Sequence, residues 1–316
     1  MPIKIPGNLP ARSKLESEGI SVITNSAAYS QDIRPLQIGL LNLMPNKQTT
    51  ETQFARLLGS SPIQVDLKLL NVSSHKPKNV SQQHLLDFYT PWEEVKDCKF
   101  DGFIITGAPI ETLEFDEVNY WDELGEIMDW TTSNVHSTMF VCWGAMAALS
   151  HFHGVPKRSL DTKAFGVFDQ ISRAPNHPLM AGLSDVVQMP VSRWTTVDSA
   201  EIDKVTGIQC LLDSDVTGPC LLTEDSQQRV YIMNHVEYDS QSLLGEYNRD
   251  VASGKDPEVP KGYFVGDDPS SQPLNTWRSH AQVLFRNWVN SVYQNTPFDL
   301  AEIGSDCAAT EIDLRI

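Results

Sequence analysis

A chain of 316 residues can build one large domain or two small ones, and 41% hydrophobic with 21% charged residues is the composition of an ordinary globular protein. A net charge of −17 makes a surface that repels nucleic acid and anionic membranes, so any anionic ligand needs a locally basic site. No apolar run approaches the roughly 20 residues of a membrane span, the N-terminal MPIKIPGNLPARSKL has no signal-like apolar region, and five scattered cysteines (Cys98, Cys142, Cys210, Cys220, Cys307) without a C-x-x-C pair read as reduced thiols of a cytoplasmic protein, with no disulfide framework and no metal site.

Residues 1–35 show little pattern and are expected to form an extension packed on the core. LQIGLLNL (36–43) is apolar at nearly every position, the mark of a central parallel strand. QTTETQFARLLG (48–59) spaces Phe54, Leu57 and Leu58 as a helix with Gly59 as its stop. IQVDLKLLNV (63–72) is the next strand, and FDGFIITGAP (100–109) a strand that breaks into a glycine-containing loop. VNYWDELGEIMDW (118–130) sets Trp121, Leu124 and Met128 on one helical face. TMFVCWGAMAAL (138–149) then turns from strand into helix at a cysteine. GIQCLL (207–212), PCLLTE (219–224) and RVYIMN (229–234) are three closely spaced strands. A capped helix over 239–254, closed by Gly254, and an amphipathic helix over 276–293 flank a Pro/Gly/Asp/Ser-rich loop at 255–275, and an acidic tail occupies 300–316. Alternation of strands and helices in this order predicts a single α/β domain over 36–299 with a doubly wound, mostly parallel sheet, whose ligands bind at the loops that follow the strands.

Cys142 on a strand-to-helix turn has two readings: a small buried hydrophobe, or a nucleophile raised at the sheet's edge beside helix amides. A nucleophilic thiol needs a base, and the base an orienting group. Of eight histidines only His235, in YIMNHVEYD, follows a strand with an acid two residues on, Glu237. In extended chain these two side chains share a face, so the carboxylate can hold the imidazole. His151, His153 and His280 read as surface or packing residues of helices.

The Cys turn followed about ninety residues later by H-x-E resembles the class I glutamine amidotransferase-like (flavodoxin-like) fold. The longer pieces LLNLMPNKQTTETQF (40–54), FDGFIITGAPIETLEFDEVNYW (100–121), FVCWGAMAAL (140–149), HVEYD (235–239), YNRDVASGKDPEVP (247–260) and WRSH (277–280) resemble the homoserine O-acyltransferases of the MetA family. That resemblance implies acyl transfer to L-homoserine in methionine biosynthesis, by way of a thioester. It makes Cys142 the nucleophile, His235 the general base and acid, and Glu237 its partner. Lys163, Ser192 and Arg249 match substrate-contacting positions, with Arg249 gripping the amino acid's carboxylate. By spacing alone Lys47, Lys163 and Arg249 read as solvated surface; Lys47 is a candidate cation beside the site or the CoA phosphates. The Trp143 N–H and the loop 107–111 are candidate oxyanion donors. Members of the family divide between acetyl-CoA, which goes with glutamate at the position of Glu111, and succinyl-CoA, which goes with glycine there. A carboxylate bordering the acyl pocket also opposes a succinyl carboxylate, so acetyl-CoA is the expected donor, with no tightly bound cofactor and with a homodimer as the candidate assembly. Succinyl-CoA is the alternative, and glutamine hydrolysis a more distant one, because amidotransferases carry glycine where this chain has Phe140. Asn234, Val236 and VSRWTTV (191–197) depart from the commoner family pattern.

Overall fold

The computed structural model describes residues 3–17, 22–23, 34–75 and 80–304; Cys307 and most of the acidic tail lie outside them. The strands are β1 (Ile3–Lys4), β2 (Val22–Ile23), β3 (Leu36–Leu41), β4 (Val65–Asn71), β5 (Tyr89–Pro91), β6 (Phe100–Ile105), β7 (Val135–Val141), β8 (Lys157–Ser172), β9 (Val186–Val197), β10 (Gln209–Ser214), β11 (Gly218–Glu224) and β12 (Arg229–Ile232). The helices are α1 (Ala11–Ser17), α2 (Lys47–Leu58), α3 (Gln82–Phe88), α4 (Trp121–Asn134), α5 (Trp143–His153), α6 (Ser199–Ile202), α7 (Ser242–Ala252) and α8 (Arg278–Asn295). The strands join one sheet in the order β2-β1-β4-β3-β6-β7-β12-β11-β10-β8-β9, with β5 also on β4. Pairing is parallel from β2 through β12 and antiparallel beyond it. This is the expected α/β, mostly parallel architecture.

Side-chain alternation along the central strands feeds two cores. Ile104, Met139 and Val141 face one, with Phe54 and Leu58 of α2 and Leu284, Phe285 and Trp288 of α8. Phe103, Ile105 and Phe140 face the other, with Leu124, Ile127 and Met128 of α4 and Met146 and Leu149 of α5. Burial on both faces is why these strands read as continuous apolar runs, and each such side chain contributes about 1.5–3 kcal/mol. Gly39 interrupts β3 because a Cβ there would lie 2.5 Å from the Phe103 ring.

Two regions differ from the sequence expectation. The first is 1–35, where β1 pairs with β4 and α1 buries Ala11 and Leu15, so the extension carries elements of its own. The second is 155–206, for which the sequence pattern offers no element and the structure has the β8–β9 hairpin, registered from Lys157↔Val197 to Ile171↔Val186. Two features hid it: β8 shows no clean alternation, and Pro190 sits inside β9, a residue confined to edge strands. At the C-terminal end, Ile303 is buried and a short turn covers Leu300–Glu302. The loop 255–275 is strapped to β8: Lys261 N–H donates to Phe165 C=O at 3.0 Å, and Val167 N–H to Lys261 C=O at 2.8 Å. Gly166 (φ 145°) permits this, because a Cβ there would be 2.3 Å from the Lys261 carbonyl. Phe165, Val167, Leu243, Tyr263, Phe264 and Trp277 form a third core beneath the strap. No helix among the described residues is long and apolar enough to cross a membrane.

Candidate active site

β7 ends at Val141, and Cys142 makes the turn into α5 at φ 51°, ψ −118°. A non-glycine residue in that region stores about 1–3 kcal/mol of strain and persists only where its surroundings enforce it. They do so here. The Cys142 N–H donates to the Ile232 carbonyl at 2.7 Å, and its own carbonyl caps α5 through Ala145 N–H (2.9 Å) and Met146 N–H (3.2 Å). Glycines let the neighbouring chain close in: a Cβ at Gly144 would lie 2.7 Å from Thr106 O, and one at Gly107 would lie 3.2 Å from Cys142 Cβ and 3.4 Å from Trp143 N. The loop after β6 therefore touches the Cys142 turn itself. The Trp143 N–H heads α5, where helix amides lack an intrahelical acceptor. The Trp143 ring belongs to the core, fully buried, tilted against Phe115 and edge-on to Tyr120.

His235 lies beyond the end of β12, 5% exposed, with its N–H donating to Pro190 C=O of β9 at 2.9 Å. Glu237 Oε1 meets Nδ1 at 2.7 Å, and the Cys142 side chain lies close enough to act on the same imidazole. The pairing expected from extended geometry is made differently: residues 235–238 form a turn, with Tyr238 N–H donating to His235 C=O at 3.3 Å. The turn also stacks the Tyr238 ring on the imidazole, centroids 4.2 Å apart and 15° from parallel. Burial opposes a charged imidazole, but negative charge at Cys142 and Glu237 outweighs it and holds His235 well above its usual range. Such a trio can attack a carbonyl through sulfur and shuttle one proton.

A second group meets at Glu246 on α7. Tyr238 Oη donates to Glu246 Oε1 at 2.9 Å, Ser192 Oγ donates to Oε2, and Lys163 Nζ lies 3.3 Å from Oε2 and 3.9 Å from Asp250 Oδ2. Lys163 lies where the β8–β9 register slips, between Ser159 and Ala164, and its side chain is largely buried. Arg249 stands apart: its side chain is 66% exposed, with Asp250 3.5 Å away as its described ionic partner. Sequence reasoning missed Glu246 and Tyr238. Both lie within or beside matched stretches, and Tyr238 directly follows the H-x-E pair, but only the tertiary fold sets them beside Ser192 and Lys163.

On the opposite side, a cavity of about 380 Å³ opens at the C-terminal ends of β3, β4 and β6, lined by Leu43, Lys47, Val72, Ala108, Ile110 and Tyr120 among others. Lys47 is not solvated surface, the reading its spacing gave: it is 4% exposed and donates to Asn42 C=O. Burial pushes its ammonium down to about 8, with Glu51 opposing. Glu111 follows Ile110 on the rim loop, half-buried, its carbonyl accepting from Lys157 Nζ at 2.8 Å. Among the described residues no group of three His, Cys, Asp or Glu is placed to hold a metal ion.

A family model described as homoserine O-succinyltransferase matches residues 2–298. The chain belongs to that family. Similar proteins include one of Chelativorans sp. (strain BNC1), 60% identical over 304 residues (96% of this chain, 97% of the relative), and one of Hyphomonas neptunium, 58% identical over 304 residues (96% and 100%). Both are named homoserine O-acetyltransferase. Among solved structures, a glutamine amidotransferase of Thermotoga maritima aligns with a TM-score of 0.52 at 8% identity (82% of this chain, 99% of that one). A glutamine amidotransferase of Methylobacillus flagellatus aligns with a TM-score of 0.53 at 11% identity (82% and 95%). At such identities the family shares a fold with the amidotransferases, and the likeness carries nothing about substrate.

Proposed function

We propose that the protein transfers the acetyl group of acetyl-CoA to the hydroxyl of L-homoserine through a thioester on Cys142, in the cytoplasm. The observation that carries this reading is the strained Cys142 turn beside the hydrogen-bonded His235–Glu237 pair, with an apolar cavity on one side and the charged cluster at Glu246 on the other. The Cys142 thiolate attacks the acetyl carbonyl, and the Trp143 N–H with an N–H of the loop after β6 receives the oxyanion. Collapse breaks the carbonyl–sulfur bond to CoA, whose thiolate takes the proton from His235. Homoserine then enters, and His235 accepts its hydroxyl proton as the oxygen attacks the Cys142 thioester. O-Acetylhomoserine leaves, and the thiolate–imidazolium pair returns.

The cavity and the charged cluster suit the two substrates. The cavity beside the loop 107–111 is largely apolar, with amide side chains at Asn42, Asn71 and Asn119, a fit for the uncharged amide-bearing arm of CoA. Successive strands lie about 4.8 Å apart, so a groove from the loop after β6 to that after β4 leads a thioester toward Cys142. Around Glu246, Lys163 and Ser192 present one cation and one hydroxyl to a carboxylate, while Glu246 and Asp250 face an ammonium. That is the charge pattern of a zwitterionic amino acid.

Succinyl-CoA is the second reading, favoured by the family model's description. The Glu111 carboxylate and the names of the similar proteins favour acetyl-CoA. Measuring kcat/KM with each donor separates them. The expected result is a preference for acetyl-CoA that Glu111→Gly weakens; a wild-type preference for succinyl-CoA overturns the donor assignment.

A further inference from the structure

Arg193 of β9 is 1% exposed, and every acceptor it reaches is neutral. Nη1 donates to the Met233 carbonyl at 3.0 Å and to the Asn234 side-chain oxygen, and Nη2 donates to the Thr217 carbonyl. Nε is buried with no partner among the described residues. Backbone dipoles alone are poor compensation for a buried guanidinium, since taking such an ion out of water costs several kcal/mol.

Its position explains the missing carboxylate. Met233 follows Ile232, whose carbonyl takes the Cys142 N–H, and Asn234 precedes His235, whose N–H is held by Pro190 of Arg193's own strand. The guanidinium thus sits behind the junction of nucleophile and base. The negative groups that act on it are the sulfurs of Cys142 and Cys220. Cys220, fully buried, accepts a hydrogen bond from Asn234 Nδ2 at 3.0 Å, and burial pushes its thiol up, so it stays neutral. The Cys142 sulfur is the other group that acts on the guanidinium.

We infer that Arg193 is a positioning residue of the active site: its fork clamps the Met233–Asn234 segment so that His235 faces Cys142, and its buried charge favours the thiolate–imidazolium form of that pair. The inference rests on the reading of Cys142 as the nucleophile. The groups that also set this equilibrium are His235, Glu237 and Tyr238 from the turn after β12, and Cys220 from β11.

The test is the pH profile of Cys142 carbamidomethylation by iodoacetamide, read by peptide mass spectrometry beside kcat and Tm. Arg193→Met removes the charge; Asn234→Asp keeps the arginine but sets a carboxylate against it. Both are expected to move the alkylation midpoint upward by about one pH unit, a tenfold loss of thiolate on the acidic side of the midpoint. Arg193→Lys, which keeps charge without the fork, should hold the midpoint and lower kcat. Should Arg193→Met fail to fold, Asn234→Asp decides alone. Unmoved midpoints in the folded charge variants, with only Tm lowered, overturn the inference and leave Arg193 a structural residue. The midpoint is read without either substrate, so a shift in a protein that transfers no acetyl group would sink the proposed function and spare this one.

Discussion

The two halves of the sheet hold the site by different means. In the parallel half, β3, β6 and the end of β7 run apolar and buried, and beyond the Cys142 sulfur what they offer chemistry is main chain: the Cys142 turn, the Trp143 amide and the loop that Gly107 presses against them. In the antiparallel half, the β8–β9 hairpin and α7 offer side chains: Lys163, Ser192, Glu246 and the buried Arg193. Backbone donors on a rigid sheet suit a thioester carbonyl, whose charge develops at one fixed point. Side-chain ions suit an amino acid, whose two charges must be told from those of other metabolites. The division teaches that substitutions in the two halves should separate into different kinetic parameters.

The junction of the halves carries the largest effect. Cys142→Ser and His235→Ala should each lower kcat by about a thousandfold or more while leaving the far-ultraviolet circular dichroism unchanged. Substantial turnover in either variant breaks the covalent route, and the comparison with it. Next comes the antiparallel half. Glu246→Gln and Lys163→Ala should each raise KM for homoserine by about ten- to a hundredfold, the cost of leaving a charged partner unsatisfied, with KM for acetyl-CoA nearly unchanged. A rise in the donor's KM would erase the division of labour.

In the parallel half, Gly144→Ala forces a Cβ to within 2.7 Å of the Thr106 carbonyl oxygen, a backbone atom that cannot swing aside. It should cost about 1–3 kcal/mol of stability, visible as a lower denaturation midpoint. A smaller, pH-dependent effect comes from His235, whose folded pKa lies well above 6.5. Its stabilisation is fully present below the unfolded value and fades as pH rises through the folded one. The Tm gap between the wild-type protein and His235→Gln should therefore narrow from neutral into alkaline pH; a widening gap contradicts the assignment. Arg249→Ala should have the smallest effect, a homoserine KM raised only a few-fold, because its guanidinium is 66% exposed and solvent screens it.

The same division explains what could be read from sequence. β3 and β6 were legible because burial on both faces leaves apolar runs, β4 because apolar and polar residues alternate in VDLKLL, and the Cys142 turn because the apolar end of β7 abuts a helix pattern. The Lys163–Ser192–Glu246 cluster was only half legible: its members come from β8, β9 and α7, and a slipped register with a proline inside a strand hides the hairpin. Glu246 carries no local mark that sets it apart from any helical glutamate. Arg193 lies in a stretch without clean alternation, and its burial is decided by Met233 and Thr217, forty and twenty-four residues away. The His235–Glu237 pair was found through an alternation argument, yet a turn makes it. Spacing of two brings side chains together in either geometry.

The central claim is that acetyl crosses from one half to the other on the sulfur of Cys142. It is tested most directly by mixing the protein with acetyl-CoA in the absence of homoserine, trapping at acid pH, and weighing the Cys142 peptide. The account predicts a single acetyl adduct on Cys142 that vanishes on a homoserine chase as O-acetylhomoserine appears. Product formed at full rate with no adduct at any time, and with intersecting double-reciprocal lines, would contradict it.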